Sequence, residues 1–222
     1  MPETLPLFPL GSVLMPGLVQ ALNVFEERYR TLVEELEAQP EGSVREFGVV
    51  AIRSGREVGA DGVRAREALY PVGCTARVEQ IDALEDGRFE IITVGHTRFR
   101  LLDIDATAGT PYLTGLVERL GEPDGDGASV FARSVARHFD GYRDQLGGDG
   151  RVTDPSDPRM LSYLVAAAMR LDLADRQRLL EQPDTSARLS AELALLRRET
   201  ALVAALQAVP ATELTQVPYG LN

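Results

Sequence analysis

The sequence predicts an α+β protein, with a strand-rich first half and a helical second half. Three observations carry this. The apolar period changes from two to 3.6 after "GEPDGDGA" (residues 121–128), a stretch of turn residues and charge with no apolar anchor. Upstream, "TARVEQIDAL" and "RFEIITVG" flank Glu85-Asp86-Gly87, an Asp-Gly hairpin signal. Downstream, Phe131, Val135, Phe139, Tyr142 and Leu146 trace one helical stripe. The organisation expected is a β-rich domain over residues 1–120, a linker over 121–128, a helical bundle over 129–208 and a loosely held tail over 209–222.

The elements follow in order. "LPLFPL" is a short extended segment that Pro6 and Pro9 confine to an edge or a bend, since neither can donate to a ladder. "GSVLMPG" ends in a Pro-Gly turn, and "VQALNV" is the next strand. Phe25, Tyr29, Leu32, Val33 and Leu36 then recur at helical spacing until Pro40 and Gly42. "FGVVAIRS" is a short apolar strand, and "GREVGADGVRAREALYPVG" a long polar connection. After the hairpin, Gly95 marks a bend or bulge before "HTRFRLLDIDA", and "PYLTGLVERL" is one further strand. Four helices complete the chain. Asp157 caps the second of them with Pro158 at its first position, Asp172 caps the third, and Pro183 precedes the last. Asp154 is a turn residue.

Composition excludes several chemistries. All 23 basic residues are arginine. Without lysine there is no Walker A phosphate loop, no Ser-Lys dyad and no Schiff base. The lone Cys74 alternates with Gly73 and Thr75 on the apolar face of a strand, a small buried hydrophobe rather than a nucleophile. His96 and His138 lie too far apart in sequence for a zinc motif, and the acidic runs miss the calcium-loop pattern. No catalytic residue, metal or cofactor is expected. The net charge is −11, of which residues 1–127 carry −10, so a phosphate backbone is an unfavourable partner. No stretch is apolar enough to cross a bilayer, and the N-terminus has no basic segment, from which a cytoplasmic location is expected.

The opening run supplies Leu5, Pro6, Leu7, Phe8, Pro9 and Leu10, then Val13, Leu14, Pro16 and Gly17, then Leu22, Val24, Phe25, Glu26, Arg28 and Tyr29. It resembles the start of the Lon protease N-terminal (LON substrate-binding) domain family. The resemblance continues through "YPVGCTARVEQI", "DGRFEIITVGHTRFRLLDI" and "DRQRLLEQPDTSARLSAELALLRRE", so that it covers roughly residues 5–200. Two positions depart from the family pattern: Ala21 stands where a proline is usual, and Arg176 where a lysine is usual. The resemblance implies a PUA-like β-barrel or curled-sheet domain followed by a C-terminal helical bundle. It also implies a polypeptide-binding role without the ATPase or peptidase parts, which a full-length Lon protease would add after the point where this sequence stops.

The function expected is therefore non-catalytic binding of unfolded or partner proteins, in a groove between sheet and helices where an extended peptide adds as a strand. Arg28, on the first helix, and His96 and Arg98, in the bend after the hairpin, are the polar contact candidates, because the chain changes direction there. Two alternatives share the same sequence. One is RNA binding by a PUA-like surface, using Arg98, Phe99 and Arg100 or the arginines around Arg64 and Arg66. The other is an adaptor or regulator of a separate ATP-dependent protease.

Overall fold

A computed structural model describes residues 1–53, 62–148 and 156–208, and the side chains of all of these except 62–64 and 206–208. Arg64, Asp154 and the tail over 209–222 lie outside the side chains or residues described. Among the described residues, strands β1 (Glu3–Leu10), β2 (Val19–Val24), β3 (Glu46–Ala51), β4 (Val72–Ala83), β5 (Phe89–Ile104) and β6 (Thr114–Arg119) form one mixed sheet. Its order is β2-β5-β4-β3-β1-β6, and a further β5–β6 pairing curls the far end back onto β5. Helix α1 (Glu27–Glu37) follows β2, and α2 (Gly62–Ala68) lies between β3 and β4. Helices α3 (Ala128–Gln145), α4 (Pro158–Ala168), α5 (Leu173–Leu180) and α6 (Thr185–Ala208) complete the chain.

The prolines of β1 are expected to hold it at an edge or a bend, and it runs through the interior of the strand order. Its two halves explain this. Glu3–Pro6 are in register with β6, antiparallel, and Leu7–Leu10 with β3, parallel, while the Leu7 amide still donates to the Leu113 carbonyl just before β6. Each proline therefore has one unpaired side on which its missing N–H costs nothing.

The hairpin forms as the sequence indicates, with Gly87 at φ 79° in its turn. The two segments around Gly95 form one 16-residue strand, β5, and the irregularity expected at Gly95 is present within it, because the pairing with β4 shifts register between Cys74–Arg98 and Ala76–Gly95. Gly95 is required by a close approach: a Cβ there would collide with the Met15 carbonyl. The strand is long enough to serve two neighbours on one side. Its first part pairs with β2, and its last part with β6.

Two apolar clusters pack on the sheet. Tyr29, Leu32, Val33 and Leu36 of α1 close one over Phe8, Phe47 and Ile91, with the rings of Phe8 and Tyr29 stacked at 4.0 Å. Ala65 and Leu69 of the second connection close the other over Leu7, Val50, Phe99 and Leu101. A short helix thus stands where the sequence suggested only a polar connection. Phe25 does not join the α1 stripe. The helix begins two residues later, and Phe25 is 66% exposed.

The helical half follows its sequence closely. Asp157 accepts from the amides of Arg159 and Met160 with Pro158 at the first position, and Asp172 caps α5 through the Asp175 amide. Val135, Phe139, Tyr142, Leu161, Leu189 and Leu196 form the core between α3, α4 and α6. A fourth cluster, Met15, Val72, Tyr163, Ala166, Leu179 and Leu180, joins the sheet to the helices.

Candidate functional site

Among the described residues, strand β2 pairs on one side only. The Leu18 carbonyl accepts from the Gly95 amide, and the Gln20 carbonyl accepts from Thr93 Oγ1, so these two residues turn their backbone groups toward β5. The alternation of an antiparallel ladder then directs the amides and carbonyls of Val19, Ala21 and Asn23 to the open side. An open edge of this kind is a template for another strand.

The outward face beside that edge is apolar at its centre. Ala21 lies opposite Ile92 in the register, and Val19 opposite Val94. Val19 is 70% and Ile92 37% exposed, and the exposed Phe25 follows directly after the strand. A cavity of about 340 Å³ is lined by Ala21, Leu22, Asn23, Asp82, Glu90, Ile91 and Ile92. Its carboxylates, Asp82 and Glu90, are exposed and lie opposite one another across β4 and β5. The site offers hydrogen-bonding backbone, apolar contact and negative charge. Sequence reasoning missed it because period places Phe25 on the helical stripe and because which strand stands at the margin of the sheet depends on pairing between distant segments.

The three residues singled out from sequence occupy different environments. Arg28 is half-buried, paired with Glu26 at 2.6 Å, and its guanidinium lies 4.6 Å from the centre of the Tyr29 ring. His96 is exposed on β5; burial first, then the charge of Arg77, holds its imidazole below the ordinary range. Arg98 is only 1% exposed. Its Nε donates to Glu122 Oε1 at 2.7 Å, Nη1 to the carbonyls of Leu180 and Gln182 at 2.8 and 2.5 Å, and Nη2 to that of Gly121 at 3.2 Å. No hydrogen bond or ion pair described here joins Arg28, His96 and Arg98 to one another.

Arg98 belongs instead to a buried polar junction between sheet and helices. Glu122 Oε2 accepts from the Tyr163 hydroxyl at 2.6 Å and lies 3.7 Å from Arg188 Nη2. Arg188 sits over the Tyr163 ring at 4.0 Å and donates to Ser162 Oγ and the Leu179 carbonyl. Gln177 donates to the Val72 carbonyl on β4 at 2.9 Å. The segment after Glu122 is fastened as well, because the amides of Thr185 and Ser186 donate to the carbonyls of Pro123 and Asp124. These contacts lie between sheet and helices, where a peptide groove was expected, and a cavity of about 370 Å³ stands beside Arg98 and Arg100.

Of the remaining candidates Arg100 is exposed, whereas Cys74, Phe99 and Arg66 are taken up by the fold. Cys74 is fully buried, which pushes its thiol far above the ordinary range. Phe99 is buried, and Arg66 donates to the Leu101 and Leu102 carbonyls, so neither offers a stacking platform or a free cation to RNA. Among the described residues no three His, Cys, Asp or Glu side chains are grouped to hold a metal ion, and no helix is long and apolar enough to cross a membrane.

Comparison with known proteins matches this arrangement. The family model for the ATP-dependent protease La (LON) substrate-binding domain covers residues 4–198. Lon protease 2 of Sorangium cellulosum is 29% identical over 208 residues, which is 89% of this chain and 25% of that protein. Lon protease 1 of Thermus thermophilus is 34% identical over 145 residues, 61% of this chain and 18% of that protein. The chain thus spans about a quarter or less of the length of these relatives. A crystal structure of a Lon N-terminal domain protein from Xanthomonas campestris superposes with a TM-score of 0.61 at 26% identity, covering 86% of this chain and 98% of that one. The N-terminal domain of the Mycobacterium avium complex Lon protease, at 16% identity and a TM-score of 0.60, shares the fold over 90% of this chain and 98% of its own. The mixed curled sheet, the helices packed after it and the match over residues 4–198 establish that this chain belongs to the LON substrate-binding domain family.

Proposed function

We propose that this chain is a non-catalytic polypeptide-binding module that takes an extended segment of an unfolded or partner protein alongside β2. The observation that carries the reading is the unpaired edge of β2 beside exposed Val19, Phe25 and Ile92, in a member of a substrate-binding family. Main-chain bonds at Val19, Ala21 and Asn23 supply affinity, and the cavity over Ala21 and Ile92 takes an apolar side chain. Asp82 and Glu90 favour a neighbouring Arg or Lys on the peptide, an attraction that salt weakens. His96 and Arg28 are proposed as outer contacts, and Arg98 as a positioning residue within the junction. The absence of lysine supports a role without nucleotide or peptide hydrolysis.

The test is fluorescence anisotropy with short extended peptides that alternate apolar and basic residues. Ala21→Pro removes an outward N–H without touching the β2–β5 ladder, and Phe25→Asp alters only an exposed ring. Each substitution is expected to weaken binding at least tenfold, and acidic peptides to bind least. Equal affinity for the parent and both variants rules the β2 edge out.

A further inference from the structure

Helices α3 and α6 pack together along most of their length but leave a groove of about 480 Å³ on their outer side. Its floor is made of small groups, Gly141 on α3 and Ala201 and Ala204 on α6. Arg137 and His138 stand on one wall and Arg197 on the other. Both arginines are exposed, and neither takes part in any hydrogen bond or ion pair among the described residues. Arg88, Arg119, Arg159 and Arg198 have carboxylate partners, whereas Arg137 and Arg197, like the exposed Arg100 and Arg133, have none among the described residues and are free to meet an incoming carboxylate. His138 uses Nδ1 at 2.8 Å from the Ser134 carbonyl, which leaves Nε2 for another group.

We propose that the α3–α6 groove docks an acidic amphipathic helix of a partner protein. The argument rests on shape and charge together. A floor of glycine and alanine lets a third helix approach closely, as ridges enter grooves in helix packing. The exposed Val130, seven residues before Arg137 on the same face of α3, extends the apolar strip. The flanking guanidiniums then meet carboxylates at the edges of the incoming helix, where charge sets orientation and partner choice. This surface is on the helical half and is separate from the β2 edge, so the two can be tested apart.

The experiment uses the full chain and two synthetic 21-residue helices that share a Leu/Ala face, one flanked by Glu and the other by Lys. Anisotropy titrations are expected to show the acidic helix binding at least tenfold more tightly than the basic one. Arg137→Glu combined with Arg197→Glu should weaken that binding at least tenfold, with the far-UV circular dichroism unchanged. Gly141→Leu gives a second route. A Cβ at Gly141 meets nothing within 4 Å, so the new side chain fills the groove without disturbing the core, and should block the acidic helix while sparing β2-edge peptides. Equal binding of the two helices, or an unaffected Gly141→Leu variant, overturns the proposal. So does sedimentation showing a dimer that the arginine reversals dissociate, or tight binding of a peptide of residues 209–222, since either gives the groove a different occupant.

Discussion

Arg98 was singled out as a contact residue, and its surroundings make a sharper claim: it holds the sheet to the helices. Replacing it with alanine leaves the Gly121, Leu180 and Gln182 carbonyls without their donor, and Glu122 without its nearest cation. Breaking a buried ion pair on one side costs about 3–5 kcal/mol, and each stranded buried acceptor adds to this. Two features reduce the loss. The adjoining cavity of about 370 Å³ admits water to the carbonyls, and Tyr163 and Arg188 still serve Glu122. We therefore expect Arg98→Ala to cost about 3 kcal/mol, near the lower end of that range. The assay is urea unfolding followed by far-UV circular dichroism, in a double-mutant cycle with Glu122→Gln. A coupling of about 1.5 kcal/mol or more between the two substitutions is expected. Arg98→Ala costing less than about 1 kcal/mol, or adding independently to Glu122→Gln, would refute the reasoning.

Two further outcomes follow from buried groups. Glu192 is fully buried, and neither carboxylate oxygen has a partner, so burial raises its pKa well above 4.5 despite the nearby Arg188. Above that pH the unfolded chain releases the proton and the folded chain retains it, so stability falls as pH rises, by about 1.4 kcal/mol per unit while the folded carboxyl keeps its proton. Glu192→Met should lose this slope, and its advantage over the parent in urea midpoints should widen from pH 5.5 to 7.5; a constant difference would exclude the effect. Cys74, with its thiol raised by burial, should not react with Ellman's reagent in the native state and should react fully in denaturant. Rapid labelling of the folded protein would show that the sheet opens there.

The elements were legible where local chemistry decides them. Asp157 and Asp172 could be read as caps, and the Asp86-Gly87 turn as a hairpin, because each acts within a few residues. Two kinds of feature were not legible. Period alone assigned Phe25 to the α1 stripe, whereas the helix starts at Glu27 and leaves that ring in solvent. Pairing at a distance was the other. Arg98 finds Glu122 across 24 residues and Gln182 across 84, and nothing near Arg98 in the sequence distinguishes it from the exposed Arg100. The same blindness hid the β2 edge, since which strand lacks a neighbour depends on β5 taking β2 first and β6 later along a single side. The Gln177, Leu179 and Leu180 motif that carries part of the family resemblance proves to be a fastening between the two halves.

The divided pairing of β1 also governs the order of assembly. Its first residues wait for Thr114–Val117, more than a hundred positions later, while its last residues close on β3 after about forty. During synthesis the β3 partner emerges long before the β6 partner, and the longer loop that the β1–β6 pairing closes carries the larger entropy cost. A deletion of the first few residues would leave β6 without its second neighbour and create a new sticky margin in addition to the one at β2.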